Sequence, residues 1–171
     1  MNGSQEAAER EYMRPFNSSL EYGLRALFIL NASRAVPIDL QRVISYDYLL
    51  VHSGDVDDGP VSLHPAVPHR GTELLVKRSL IQAGLNQMLS RELIRVVFSP
   101  TGFLYQSTDL TEKFINLLKS TYARALCSRA EWIVSCFGDH TDEQLASLMA
   151  RNVGCWGGEF DQLTAVDLLE L

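Results

Sequence analysis

The residues best suited to chemistry lie close together in the first half of the chain. His52, Asp55, Asp57, Asp58, His64 and His69 stand in or just before one stretch of 53–71. Histidine and aspartate are good ligands for divalent ions, so this group could in principle build a metal site. The spacing argues against it. Asp55-Val56-Asp57-Asp58-Gly59 is one residue too short for a calcium loop, and the closing glutamate is missing. The expectation is no metal and no cofactor. A stiff, proline-bounded loop suited to docking or to capping a helix is the better reading, because Pro60, Pro65 and Pro68 restrict it throughout. A loop this long inside a compact domain is uncommon and is often functional.

Other catalytic patterns are missing. No Gly-x-Ser-x-Gly, P-loop or His-Glu-x-x-His sequence occurs. The paired carboxylates Asp142 and Glu143 fall in the first turn of an expected helix, where they complement its dipole. Cys127, Cys136 and Cys155 are odd in number and form no Cys-x-x-Cys, so neither a disulfide framework nor a structural zinc site is expected. Their expected role is that of small buried hydrophobes in helices. Trp132 is expected in the core. Trp156, set among glycines, either packs a chain reversal or anchors a partner.

The elements that must position these residues are mostly helices. Ser18-x-x-Glu21 is a capping pattern, and Leu20, Leu24, Leu27, Phe28 and Ala32 follow at helical spacing, which predicts a first helix over 19–33. Asp39 caps a second, carrying Leu40, Val43, Ile44, Asp47, Leu50 and Val51 to a stop at Gly54. Thr72 caps a third, with an apolar stripe from Leu74 to Leu89 beside the basic edge Lys77-Arg78, and Gly84 inside it marks close packing. Leu93–Phe98 and Phe103–Ser107, joined by Ser99-Pro100-Thr101-Gly102, read as a hairpin. Asp109-x-x-Glu112 caps a fourth helix. A fifth runs from Tyr122 to Phe137 and ends at Gly138. Thr141-x-x-Gln144 opens another.

The predicted fold is mainly α with a small β-hairpin: a winged-helix-like core plus C-terminal helices. The domain organisation is a flexible arm over 1–16, one domain over 17–158 and an acidic-apolar tail over 159–171. In that tail Phe160, Leu163, Val166 and Leu169 recur near helical spacing, a pattern that can fold back on its own domain or enter a partner's groove.

The composition is ordinary for a globular chain of 171 residues, with 46% hydrophobic and 21% charged. No apolar run approaches the roughly 20 residues of a membrane span, and the polar start lacks the features of a signal peptide, so the expected address is cytoplasmic. The net charge of −6 argues against strong general binding of nucleic acid. The wing carries a single base, Arg95, and the joint between the second and third helices is far longer than the 3–4 residues of a DNA-binding pair. Lys77 and Arg78 remain as candidate phosphate contacts, unless they are simply a solvated face.

Several blocks then carry a family resemblance. They are Asn17-Ser-Ser-Leu-Glu-Tyr-Gly-Leu-Arg-Ala-Leu27, Leu40-Gln-Arg-Val-Ile-Ser-Tyr-Asp-Tyr-Leu-Leu-Val-His-Ser-Gly-Asp55, Ser62-Leu-His-Pro65, Pro68-His-Arg-Gly-Thr-Glu-Leu-Leu-Val-Lys-Arg78, Tyr122-Ala-Arg-Ala-Leu126 and Arg129-Ala-Glu-Trp-Ile-Val134. Together they resemble the middle component of bacterial ABC-three-component conflict systems, a group that includes the Lamassu defence systems. The resemblance covers about residues 16–160. It implies a non-catalytic subunit that bridges an SMC-like ABC ATPase and an effector, often a nuclease, and restrains the effector until foreign DNA is sensed. The alternative is a stand-alone winged-helix DNA-binding regulator. The signature positions the resemblance carries over are Asp47, His52, Ser53, Gly54, Asp55, His64, Pro65, His69, Arg70 and Arg78, as residues that organise the loop or touch partners. Lys77 and Trp156 join them as candidate partner contacts.

Overall fold

A computed structural model describes residues 18–34, 36–65 and 73–152. Six helices and one hairpin follow in order: α1 (Ser19–Ala32), α2 (Leu40–Val51), α3 (Glu73–Leu89), β1 (Ile94–Ser99), β2 (Gly102–Ser107), α4 (Asp109–Ile115), α5 (Thr121–Phe137) and α6 (Asp142–Asn152). A short 3-10 turn, Ser53–Asp55, follows α2. The mainly helical class with a small antiparallel hairpin is as expected, and the order is compatible with a winged helix. His69, Arg70, Trp156, Cys155, the arm and the tail lie outside the described residues.

The helix starts follow the side chains that satisfy their orphan amides. Ser18 Oγ accepts from Glu21 N, and Asp39 Oδ1 from Arg42 N at 2.7 Å. Thr141 and Gln144 exchange bonds as a capping box, at 3.2 and 2.8 Å. The start of α4 departs from expectation. Its cap is Thr108, not Asp109, and the reciprocal partner is Thr111. Thr111 is fully buried and donates its hydroxyl to Leu93 O at 2.5 Å, so the helix start is riveted to the foot of the hairpin one residue early. Glu112, expected to close the box, pairs with Arg34 at 3.2 Å instead.

Both sides of the first helix pair are shaped by glycine. α1 lies along α3 and also meets α2, α4, α5 and β2, which makes it the central element. Gly23 faces Gly84 at the α1–α3 crossing, where a Cβ on Gly23 would stand 2.7 Å from Gly84 O. The close packing expected at Gly84 is therefore present. The core gathers Leu27, Ile29 and Leu30 of α1, Val43, Ile44, Leu49 and Leu50 of α2, and Ile81, Leu85 and Met88 of α3. Leu126, Ala130 and Ile133 of α5 and Leu145 and Met149 of α6 close it from the other side.

The hairpin pairs Ile94 with Ser107 through to Ser99 with Gly102, leaving Pro100-Thr101 as a two-residue turn. Gly102 has φ +127°, a value L side chains rarely adopt. Ile38, between α1 and α2, forms a bridge with Tyr105 through two backbone bonds of 3.0 and 2.7 Å, so β2 is flanked on both edges.

α6 is latched through Arg42. Its guanidinium donates to Asp142 Oδ1 and to His140 O, each at 2.7 Å, and to Tyr46 Oη at 3.1 Å. Tyr46 Oη in turn donates to Phe137 O at 3.1 Å. The cysteines differ from expectation: Cys127 is half-buried and Cys136 exposed, because Cys136 falls on the outer face of amphipathic α5. Trp132 is half-buried, packed on the core with its ring edge-on to Phe137 at 5.5 Å.

Candidate functional site

Asp47 sits on α2 among Val43, Ile44, Leu50 and Val51, the apolar stripe that faces the core. Its side chain is fully buried, and an isolated buried carboxylate would be strongly unfavourable. Arg25 of α1 resolves this. Arg25 Nε donates to Asp47 Oδ1 at 2.6 Å and Nη2 to Oδ2 at 3.0 Å, a two-pronged pair between two nearly inaccessible side chains. Lys77 of α3 places Nζ 3.2 Å from Asp47 Oδ2. Glu21, one turn before Arg25, accepts from Nη1 at 3.1 Å. Two cations and two carboxylates therefore close a neutral cluster where α1, α2 and α3 meet.

Aromatic rings wall it in. The Tyr22 ring lies 4.3 Å from the Arg25 guanidinium carbon, and Lys77 Nζ stands 5.5 Å from the Tyr48 ring. Burial works against the Asp47 charge, yet Arg25 and Lys77 outweigh it and hold the carboxyl below its ordinary range. Burial likewise opposes the Arg25 charge, and Asp47 again reverses the outcome, raising its pKa. The Tyr22 hydroxyl is pushed up to about 12, by burial first and then by Asp47. A carboxylate whose two oxygens both meet cations, with a lowered pKa, is poorly suited to take a proton in catalysis.

The proline-bounded loop is fastened directly to this cluster. Tyr48 donates its hydroxyl to Asp55. Leu63 N and His64 N both donate to Val51 O, at 2.9 and 3.0 Å. Gly54 N donates to Ser62 Oγ at 3.0 Å, and Arg129 of α5 reaches Val61 O at 2.5 Å. His64 Nε2 lies 2.8 Å from Tyr122 Oη on α5, with the rings stacked 6.0 Å apart. His52 lies edge-on to His64 at 6.2 Å and tilted over Tyr48 at 4.9 Å. Burial, reinforced by Arg25, lowers the His64 pKa from 6.5. Asp58 adopts φ 60°, and a Cβ on Gly59 would run into Ser53 O, so the turn is held in one tight shape. Residues 53–65 thus form a pinned arch whose outer rim is Asp57, Asp58 and the exposed Val61.

Five candidate residues come together here: Asp47, His52, Asp55, His64 and Lys77. Arg78 turns away and donates to Gln41 Oε1 at 3.5 Å, in the first turn of α2. Lys77 departs from the basic-edge expectation, because its amine reaches inward to Asp47 and its side chain is nearly buried. Among the described residues, no group of three or more His, Cys, Asp or Glu side chains is placed to hold a metal ion. Sequence reasoning missed Arg25, Glu21, Tyr22 and Tyr122. One signal was available: Arg25 and Asp47 each interrupt the apolar face of a helix, which calls for a partner.

No curated protein and no solved structure matches this chain. A family model does, over residues 15–159, a span that contains every described element and the whole Arg25–Asp47–Lys77 cluster. Its description is the ABC-three component (ABC-3C) system Middle Component 2, and the chain belongs to that family.

Proposed function

We propose that this chain is the non-catalytic connecting subunit of its system, joining an SMC-like ABC ATPase to an effector. It restrains that effector, a nuclease in this reading, until foreign DNA engages the ATPase, as in Lamassu-type defence. The family match carries this reading, because a middle component implies partner components. The pinned arch supports it physically. A loop whose backbone is already ordered loses little entropy on docking, which favours binding by a preformed surface. The buried cluster serves as the foundation of that surface.

The DNA-regulator alternative loses one of its contacts. Lys77 is committed to Asp47, and the hairpin supplies only Arg95 as a base. No helix among the described residues is long and apolar enough to cross a membrane.

Co-expression with the two neighbouring components tests the role. The expected result is a stable complex on size exclusion, with effector activity higher when this chain is omitted. Elution of the chain alone, with both components present and folded, would overturn it.

A further inference from the structure

Among the described residues, the outer edge of β1 is an open hydrogen-bonding edge. In an antiparallel pair, residues opposite one another alternate between pointing their backbone groups at each other and pointing them away. Tyr105 N–H and C=O are used by Ile38, on the side of β2 remote from β1. Its cross-strand partner Val96 must therefore direct its own N–H and C=O outward from β1, and so must Phe98, two residues on. Among the described residues, no backbone hydrogen bond reaches those groups.

Native edges are usually guarded by proline, a bulge or several charges. The run Ile94-Arg-Val-Val-Phe-Ser99 has no proline, pairs in continuous register and holds one charge. That charge, Arg95, lies flat across the sheet, donating from Nε and Nη2 to Gln106 Oε1 at 3.1 and 2.8 Å. Side chains on the core face continue the pattern. Ile94 and Tyr105 are buried at the base, Val96 is half-buried, and Phe98 and Phe103 overhang the body, 78% and 63% exposed. The two rings meet edge to face at 5.4 Å, forming an apolar platform beside the open edge.

We propose that β1 takes up an extended segment of a partner protein as a third strand. The segment alternates apolar side chains, which pack on Phe98 and Phe103, with a carboxylate placed opposite Arg95. Charge decides the occupant. Among the described residues Arg95 meets only a neutral amide, so an acidic residue on the incoming strand is favoured. The β1 edge of a second copy supplies none, because antiparallel self-pairing about Val96 sets Arg95 opposite Val97. The proposal rests on the connecting role and names the chemistry of one of its contacts.

The test uses the full chain with the co-expressed ATPase and effector as probes, each separately. Amide exchange at Val96 and Phe98 is expected to be fast in the free chain and at least about tenfold slower in one of the two complexes. Val96→Pro removes an outward N–H, a change that edge strands tolerate. It is expected to weaken that complex at least tenfold, with the chain still folded at the assay temperature. The pair Phe98→Ser/Phe103→Ser, altering exposed rings alone, is expected to do the same. Leu117→Ser, at a comparably exposed site after α4, leaves binding intact. Complexes that form normally with every variant, with Val96 and Phe98 still exchanging fast, overturn the strand proposal and leave the connecting role standing. No complex with the wild-type chain overturns both. Concentration-dependent protection in the chain alone assigns the edge to a second copy and overturns the partner version.

Discussion

Asp47 is the residue on which the cluster turns. Asp47→Asn keeps the volume but leaves Arg25 and Lys77 without their carboxylate in a buried setting. The expected loss is about 3–5 kcal/mol of stability in urea unfolding. The triple change Arg25→Met/Asp47→Leu/Lys77→Met removes the interior charges together and is expected to recover most of that loss, since apolar replacement of a whole buried ion cluster is commonly neutral or better. Stability should also fall with acid in two windows. The folded His64 binds its proton less readily than the unfolded chain, so its contribution is complete above 6.5 and is lost as pH falls through its lower folded value. Asp47, held below 3.8, loses its contribution only as pH falls further, through its own folded value. Urea midpoints followed downward from pH 8 should show the His64 step first and the Asp47 loss only below 3.8, and His64→Gln should abolish the upper one alone.

At the scale of elements, the α1–α3 contact depends on two glycines that allow backbones to touch. Alanine has the higher helix propensity, by about 1 kcal/mol over glycine. Gly84→Ala is nevertheless expected to destabilise by about 2 kcal/mol, because its Cβ would press on Ser19 O and the Gly23 backbone, which cannot move as a side chain tip can. Thermal melts of the variant would check the sign: a raised melting temperature contradicts the close approach. The cap of α4 shows the same principle. Asp109 and Thr108 are both good caps by type, and the Thr111 hydroxyl bonded to Leu93 O decides between them.

For the whole molecule, distant parts of the chain are joined by few polar ties. Arg42 links α2 to the start of α6 across about 100 residues of sequence. Arg42→Ala should loosen α6 selectively. Amide exchange over Asp142–Asn152 is expected to rise at least tenfold, while that of α1 to α3 changes little. Equal change in both would mean that α6 and the core unfold as one unit.

The sequence alone determined the local choices. Periodicity and caps placed α1, α2, the hairpin and α5 within a residue or two, since these depend on neighbours three or four positions away. The family too was legible, in blocks spread from Asn17 to Val134. The pairing of Arg25 with Asp47, the inward turn of Lys77 and the stacking of His64 on Tyr122 were decided only by tertiary structure. These partners lie on different elements, three helices and the arch against α5, up to 58 residues apart. Their union depends on how whole helices cross, which no local pattern encodes, and on the need to neutralise a charge that folding itself buries. The open edge of β1 is of the same kind, because it exists only once β2 and Ile38 have taken their places.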